Sequence, residues 1–498
     1  MPRKVKILIF LFDIFSVRNF LYTPLWNELQ NQHNAEFIFV TDSESHKKYI
    51  EEQKTENIRY YSKETANETF SFFIRSFFRK PSFSKLSKIT GRLLERIVNK
   101  IHFELFVRIL YRFNHIHKFN THRLKLHLPP SERYKKFGEF KYLGFPFSNS
   151  KALLGLLYRL FSARWWHVPS WLGKLFAEEM PDHVVVAFPQ NMAGFMVDRA
   201  ARRFGVPQTA YVNSWDQPTT KGPFPPGITR FMVWNEQMRG ELEQYHNIAK
   251  ERVAVVGAAQ LDLYTQEGMI LPEEEFRAGI GIPLDRKLMV YGAYGNRLGP
   301  DEPDVALHLA KRVSEDAYSR PVALVIRPHP KDGDWRQRFG GLEQYKNVHV
   351  RQSSNYGNAD TDRSLSDLRE LTNFMRYASV VFNANGTLTL DSIFFDTPVV
   401  NIGFDGNRTL EGMQSIYHRF NFNHFKPIID LKGSRLVRNY AELDEAVNSY
   451  LSDPALDSDN RLRVRQRLLE PSDGQSGRRI AEYILNAALA GKEKDLSQ

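Results

Sequence analysis

Three short stretches hold residue types that can transfer a group. They are Ser214-Trp215-Asp216-Gln217-Pro218-Thr219-Thr220-Lys221-Gly222, then Arg327-Pro328-His329-Pro330, then Asn385-Gly386-Thr387 followed by Asp391 and Pro398. A small-residue turn opening a helix presents unpaired backbone N–H groups and the positive end of the helix dipole, which suits a pyrophosphate. Gly386 permits close approach and Thr387 adds a hydroxyl donor. A histidine placed after Ile326-Arg327-Pro328 can donate to a phosphate oxygen and stabilise charge on a departing group. Arg327 either assists it or pairs elsewhere. Asp216 can take a proton from a hydroxyl. Lys221 suits a phosphate or an acceptor, and Trp215 either stacks on a sugar or fills core. Each residue also has a plain explanation. His-Pro dipeptides are common, Asp391 is explained by capping and dipole compensation, and Asp216 by turn formation among Pro, Thr and Gly. Their order along the chain, each after a strand, favours the chemical reading.

The elements that position them alternate. Val5–Phe12 and Ala35–Thr41 read as strands around a helix over 20–32. His183–Phe188, Gln208–Val212, Thr229–Trp234 and Arg252–Val256 continue as strands, with a helix over Met192–Phe204. From Gly257 to Arg286 runs a connection rich in Glu, Gly and Pro. The second half has strands Lys287–Tyr291, Val322–Ile326, Asn347–Val350, Ser379–Phe382 and Pro398–Ile402, a helix near Pro303–Ser314 and another from Thr387. Strands alternating with helices indicate parallel sheets with crossovers, whose ligands lie outside the carboxyl ends of the strands. On that ground Gly292 and Asn296, in the loop after Lys287–Tyr291, are expected to line a donor site. The loop after the first strand, with Asp13, Ser16, Arg18 and Asn19, reads first as a solvated loop; the other reading has Arg18 touching an acceptor.

Composition narrows the class. The chain has 498 residues, 42% of them hydrophobic, and no cysteine, which excludes a disulfide framework, a thiolate metal site and a cysteine nucleophile. Residues 71–175 hold 21 Lys and Arg against 4 Asp and Glu, a net of +17, so the rest of a chain totalling +11 carries −6. Aromatics interleave with those charges, as at Phe77, Phe78, Trp165 and Trp166. Such segments lie well on an anionic membrane interface, or form a helical insertion with a solvated basic face. No nucleic-acid recognition motif accompanies the charge. The apolar run Ile7–Phe15 is interrupted by Asp13 and reads as a buried strand rather than a leader. No apolar run approaches the roughly 20 residues of a spanning helix.

The second half resembles bacterial GT-B glycosyltransferases and their relatives: His-Pro-motif capsule transferases, CDP-glycerol glycerophosphotransferases and, more distantly, UDP-GlcNAc 2-epimerases. The resemblance rests on His329-Pro330, Asn385-Gly386-Thr387, Asp391 and Pro398-Val399-Val400, and covers roughly residues 180–490. It implies that Asp391 reaches the nucleotide ribose. Trp215-Asp216 with Pro218 and Lys221 resembles a Trp-His…Pro…Lys stretch of the glycerophosphotransferases, with Asp216 standing where they have His. Asp332-Gly-Asp334 and Asp360-Thr-Asp362 match the Asp-x-Asp of GT-A transferases, but neither follows a strand closely, and no metal is expected. His424 is a weaker candidate for donor contact.

The expectation is therefore an α/β protein of GT-B type: two Rossmann-like doubly wound domains facing a cleft, with a basic, mainly helical insertion. The divisions are an acceptor domain over 1–265 containing the insertion 71–175, a nucleotide-donor domain over 266–470, and a C-terminal helix and tail over 471–498. The expected activity is metal-independent glycosyl transfer from a nucleotide-sugar donor to a glycan or lipid-linked acceptor in surface polysaccharide assembly. Asp216 would be the base, His329 would act on the leaving phosphate, and the sugar nucleotide would be a substrate with no further cofactor. The expected location is cytoplasmic, possible contact with an anionic membrane surface included, and no nucleic acid is expected. The alternatives are a CDP-alditol phosphotransferase and a non-catalytic nucleotide-sugar-binding assembly protein. An epimerase is less expected, because no pair of acid/base carboxylates stands out.

Overall fold

Runs such as Val-Lys-Ile-Leu-Ile-Phe-Leu and Val-Ala-Leu-Val-Ile-Arg are apolar almost throughout, the pattern of strands covered on both faces. The computed structural model describes residues 4–41, 57–62, 168–221, 223–296, 299–330, 332–352, 365–410 and 415–496. One sheet contains β1 (Val5–Leu11), β2 (Ala35–Thr41), β3 (Ile58–Ser62), β4 (His183–Ala187), β5 (Gln208–Tyr211), β6 (Arg230–Val233) and β7 (Val253–Val255). Their order is β3-β2-β1-β4-β5-β6-β7. The other sheet contains β8 (Lys287–Gly292), β9 (Val322–Arg327), β10 (Val348–Val350), β11 (Val380–Asn383), β12 (Val399–Ile402) and β13 (Arg435–Val437), in the order β10-β9-β8-β11-β12-β13. All these pairings are parallel.

Both orders reverse direction once, between β1 and β4 and between β8 and β11. Loops leaving neighbouring strands at such a point go to opposite faces and open a crevice at the carboxyl edge. Register aligns the edges. Ile7 pairs with both Phe37 and His183, and Gly292 pairs with Arg327.

Helices cover the sheets through apolar stripes. In the first, Leu8, Phe10, Val184 and Val186 pack against Leu172 and Phe176 of the helix Ser170–Glu179, and against Val197 and Ala201 of Met192–Phe204. In the second, Tyr291, Leu324, Ile326 and Phe382 meet Val305 and Leu309 of Glu302–Ser314, while Phe276, Phe374 and Met375 cover the opposite face. The described residues up to Val256, with Gly477 onward, form one compact unit, and Gly257–Ser476 forms the other.

The helix expected over 20–32 is two helices, Ile14–Leu21 and Leu25–Gln30. Asp13 caps the first by accepting the N–H groups of Phe15 and Ser16, and Pro24, which lacks an N–H, separates them. The sequence pattern does not reveal β3 or β13, which are short strands at sheet edges. Of the basic stretch 71–175 only residues 168–175 are described, and Val168, Leu172 and Leu175 there are core. Phe77, Phe78, Trp165, Trp166, Asp360, Asp362 and Gly222 lie outside the described residues. Among the described residues no helix is long and apolar enough to cross a membrane.

Candidate functional site

Three loops leave the carboxyl edge of the second sheet around its switch point: Ala293–Asn296 after β8, Pro328–Pro330 after β9, and Ala384–Thr387 after β11. The first is fixed by a buried carboxylate. Glu302 accepts the Tyr294 N–H at 2.8 Å and the Gly295 N–H as well. Gly295 sits in the left-handed region at φ +83, and a Cβ there would lie 3.5 Å from His329 Cβ. Glycine thus lets the first loop pass closely beside the half-buried His329. Behind them Arg338 pairs with Glu302 at 3.2 Å and with Asp332. Burial pushes the Glu302 carboxyl from 4.5 up to about 8, the N–H bonds and Arg338 opposing only part of that cost.

A polar network inside the fold supports the third loop. The fully buried Asn401 on β12 directs its side-chain NH2 toward the carbonyls of Asn383 and Ala384, at 3.3 and 2.9 Å, and toward Thr389 Oγ1 at 3.0 Å. Thr389 Oγ1 donates in turn to Asn383 Oδ1 at 3.2 Å. The turn Asn385-Gly386-Thr387 therefore rests on bonded side chains, with Gly386 exposed and Asn385 and Thr387 half-buried at the opening of the helix Leu388–Phe394. His329, Thr387 and the loop after β8 follow three neighbouring strands, β9, β11 and β8, at the edge where such sheets bind ligands.

Other expected donor residues are placed differently. Arg327 is already paired. Its guanidinium bonds Asp367 at 2.9 Å and Glu370 at 2.6 Å on the helix Leu365–Tyr377 and lies 5.1 Å over Phe374, so its task is to fasten that helix. Gly292 is a packing position, because a Cβ there would collide with Leu388. Asn296 is exposed and contacts Asp334 at 3.5 Å. Asp391 is 8% exposed and accepts the Tyr264 hydroxyl at 2.8 Å, beside Phe394 and Phe395. His424 is buried beside Phe422 and Phe425. Asp332 is held by Arg338. Among the described residues, no group of three or more His, Asp or Glu side chains is placed to hold a metal ion.

In the first unit, Trp215 is 4% exposed and serves as core. Asp216 precedes the short helix Gln217–Thr220 and accepts hydroxyls from Ser214 at 2.5 Å and Thr220 at 2.6 Å, with Lys221 Nζ 3.7 Å away. Lys221 is therefore the partner of Asp216. Arg18, on the helix Ile14–Leu21, lies 5.4 Å over Phe15. Sequence reasoning gives little weight to a network nearby: Asp13, Ser16, Asn19, Asn213 and Gln217. Its one sequence signal is the polar residues directly after apolar strands, at Asp13 and at Asn213.

No family model matches the chain, and no curated protein matches it. Solved structures do. The Staphylococcus aureus MnaA–UDP structure is similar over 97% of this chain and 97% of its own, with 12% identity and a TM-score of 0.52. UDP-GlcNAc 2-epimerase of Neisseria meningitidis, bound to UDP-GlcNAc, is similar over 98% and 100%, with 12% identity and a TM-score of 0.52. A glycosyltransferase from Rickettsia africae overlaps at 8% identity and a TM-score of 0.44, too loosely to bear on fold or activity. The fold is of GT-B type. At this identity the likeness extends to the fold alone.

Proposed function

We propose that this chain is an enzyme acting on a nucleotide-activated sugar, and that it transfers the sugar to a hydroxyl. The observation that supports this best is the grouping of the Gly295 loop, His329 and the Asn385-Gly386-Thr387 turn at the switch point of the second sheet. In this reading the turn and Thr387 hold the diphosphate, and His329 donates to the oxygen that leaves. The attacking hydroxyl oxygen bonds to the anomeric carbon, the carbon–oxygen bond to phosphate breaks with its electron pair going to phosphate, and the hydroxyl proton passes to a carboxylate. Asp216 is the carboxylate the sequence points to. A glycan or lipid-linked acceptor fits the +17 charge of residues 71–175, which favours an anionic surface.

A second reading is epimerisation of the sugar, favoured by the solved structure bound to UDP-GlcNAc. One experiment separates the two. The chain is first screened by thermal shift with UDP, GDP, CDP, CMP and dTDP, where a ligand at 100 times its Kd stabilises by roughly 2.7 kcal/mol. Sugar nucleotides of the base that binds are then incubated in D2O. Release of free nucleotide upon adding acceptor supports transfer. Deuterium entering the sugar without nucleotide release establishes epimerisation, and no stabilisation by any nucleotide refutes both.

A further inference from the structure

Behind the loops that carry Gly295 and His329 lies a buried cluster of charged side chains that joins them. Arg338, on the short helix Trp335–Phe339, has a side chain 8% exposed, and its guanidinium lies 4.9 Å over the ring of Phe339, which is fully buried. One end of the fork, Nη1, donates to Asp332. The other, Nη2, donates to Glu302 at 3.2 Å and to the Gly299 carbonyl at 2.8 Å. Each end thus reaches one loop. On the first side Asp332 donates its backbone N–H to the His329 carbonyl at 2.9 Å. On the second, Glu302 accepts the N–H groups of Tyr294 and Gly295, and the Gly299 N–H donates to the Gly295 carbonyl at 3.1 Å.

Such a cluster is a costly way to fill space. Glu302 and Asp332 are both buried, and one guanidinium faces the two of them. Taking these groups out of water costs free energy that their attraction repays only in part, and apolar side chains of the same volume often serve stability as well or better. What apolar side chains cannot do is fix the distance between two backbone segments. A guanidinium is a planar fork with donors at set positions, so partners bonded at its two ends are held at a set separation. Alignment of the Gly295 loop with His329 accounts for the cluster where stability does not. A second buried arginine of the same unit offers the contrast: Arg461 bonds Asp396 at 2.7 Å and the Leu456 carbonyl at 2.8 Å, and reaches neither loop.

We propose that Arg338 is a positioning residue for diphosphate binding: through Glu302 and Asp332 it holds the Gly295 loop and His329 at the separation a diphosphate needs. It acts by way of these partners and not by contact with the ligand. The proposal deepens the donor reading, and rests on it for the nature of the ligand.

The test is calorimetric titration of the full chain with pyrophosphate, UDP, GDP, CDP and dTDP, for the wild type, Arg338→Lys and Arg461→Lys, with urea denaturation of each. Lysine keeps the charge but has one nitrogen, so it cannot span both carboxyls. Arg338→Lys should bind pyrophosphate, and whichever nucleoside diphosphate the wild type prefers, at least about tenfold more weakly, the scale of one misaligned hydrogen bond to a charged group. Arg461→Lys should lose stability and keep wild-type affinity, since its bonds lie away from both loops. If Arg338→Lys does not fold, Arg338→Met combined with Glu302→Gln and Asp332→Asn takes its place. That variant buries no unpaired charge, its amide oxygens still accept the N–H groups of Tyr294, Gly295 and Asp334, and only the link between the loops is gone, so the same weakening is expected. Wild-type affinity in the folded Arg338 variant, or equal weakening in Arg461→Lys, overturns the proposal and leaves the donor reading in place. A wild type that binds none of these ligands overturns both.

Discussion

Glu302 should make the stability of the second unit depend on pH in a way one substitution can remove. Its carboxyl is raised by burial from 4.5 to about 8. Between those values the folded chain holds a proton the unfolded chain has lost, so the stability from this group is complete below pH 4.5 and declines as pH rises through 8. A tenfold difference in proton affinity between the folded and unfolded chain is worth about 1.4 kcal/mol, so the decline between pH 5 and 8 is roughly 3 kcal/mol. Charge balance points the same way: one guanidinium, Arg338, faces two buried carboxylates, Glu302 and Asp332, and a neutral Glu302 leaves a single matched pair. Glu302→Gln keeps the shape and an acceptor for the Tyr294 and Gly295 N–H groups but does not titrate. Urea denaturation of both proteins at the two pH values cancels the other titrating groups in the difference. The variant should gain on the wild type by roughly 3 kcal/mol as pH rises. A constant difference would refute the reasoning and mean that Arg338 keeps Glu302 charged throughout.

His329→Ala should abolish turnover while leaving the melting curve unchanged, since the ring lies at a strand end and not in the core; wild-type turnover would remove it from the mechanism. Asn401→Ala strips the support from the Asn385–Thr387 turn, so it should cost about 1–3 kcal/mol in urea denaturation and also weaken nucleotide binding by calorimetry. Asp391→Ala distinguishes ribose binding from the anchoring of Tyr264: the first weakens a nucleoside diphosphate more than pyrophosphate, the second weakens both equally. If Asp216 is the base, Asp216→Asn lowers kcat by at least about a hundredfold with donor affinity unchanged. A mild effect would mean that its bonds to Ser214, Thr220 and Lys221 are its whole purpose.

The strands were legible because parallel strands covered on both faces are written as apolar runs. The residues directly after them, His329 and Asn385-Gly386-Thr387, could be placed at the carboxyl edge without knowing any contact. What local sequence does not carry is which partner a polar side chain finds. Arg327 stands two residues from His329 and looks equally suited to phosphate. Its carboxylates, Asp367 and Glu370, come 40 and 43 residues later on a helix whose polar positions read as solvent-facing. Asp13 and Asn213 are 200 residues apart, and they meet because β1, β4 and β5 are neighbours in the sheet. Strand order decides that, and an alternating pattern of strands and helices is compatible with several orders. The contrast between Asp216 and Asp13 shows the consequence. Both follow an apolar strand and sit among small polar residues. Asp216 is met by side chains from its own turn, two to five positions away, whereas Asp13 joins its local capping bonds to a network built from three strand ends. Within that network Oδ1 of Asn19 and Oε1 of Gln217 are buried without a hydrogen-bond partner among the described residues. A residue satisfied by its neighbours in sequence shapes a loop. One bonded across three strand ends reports instead the order of the strands, which no local window of sequence contains.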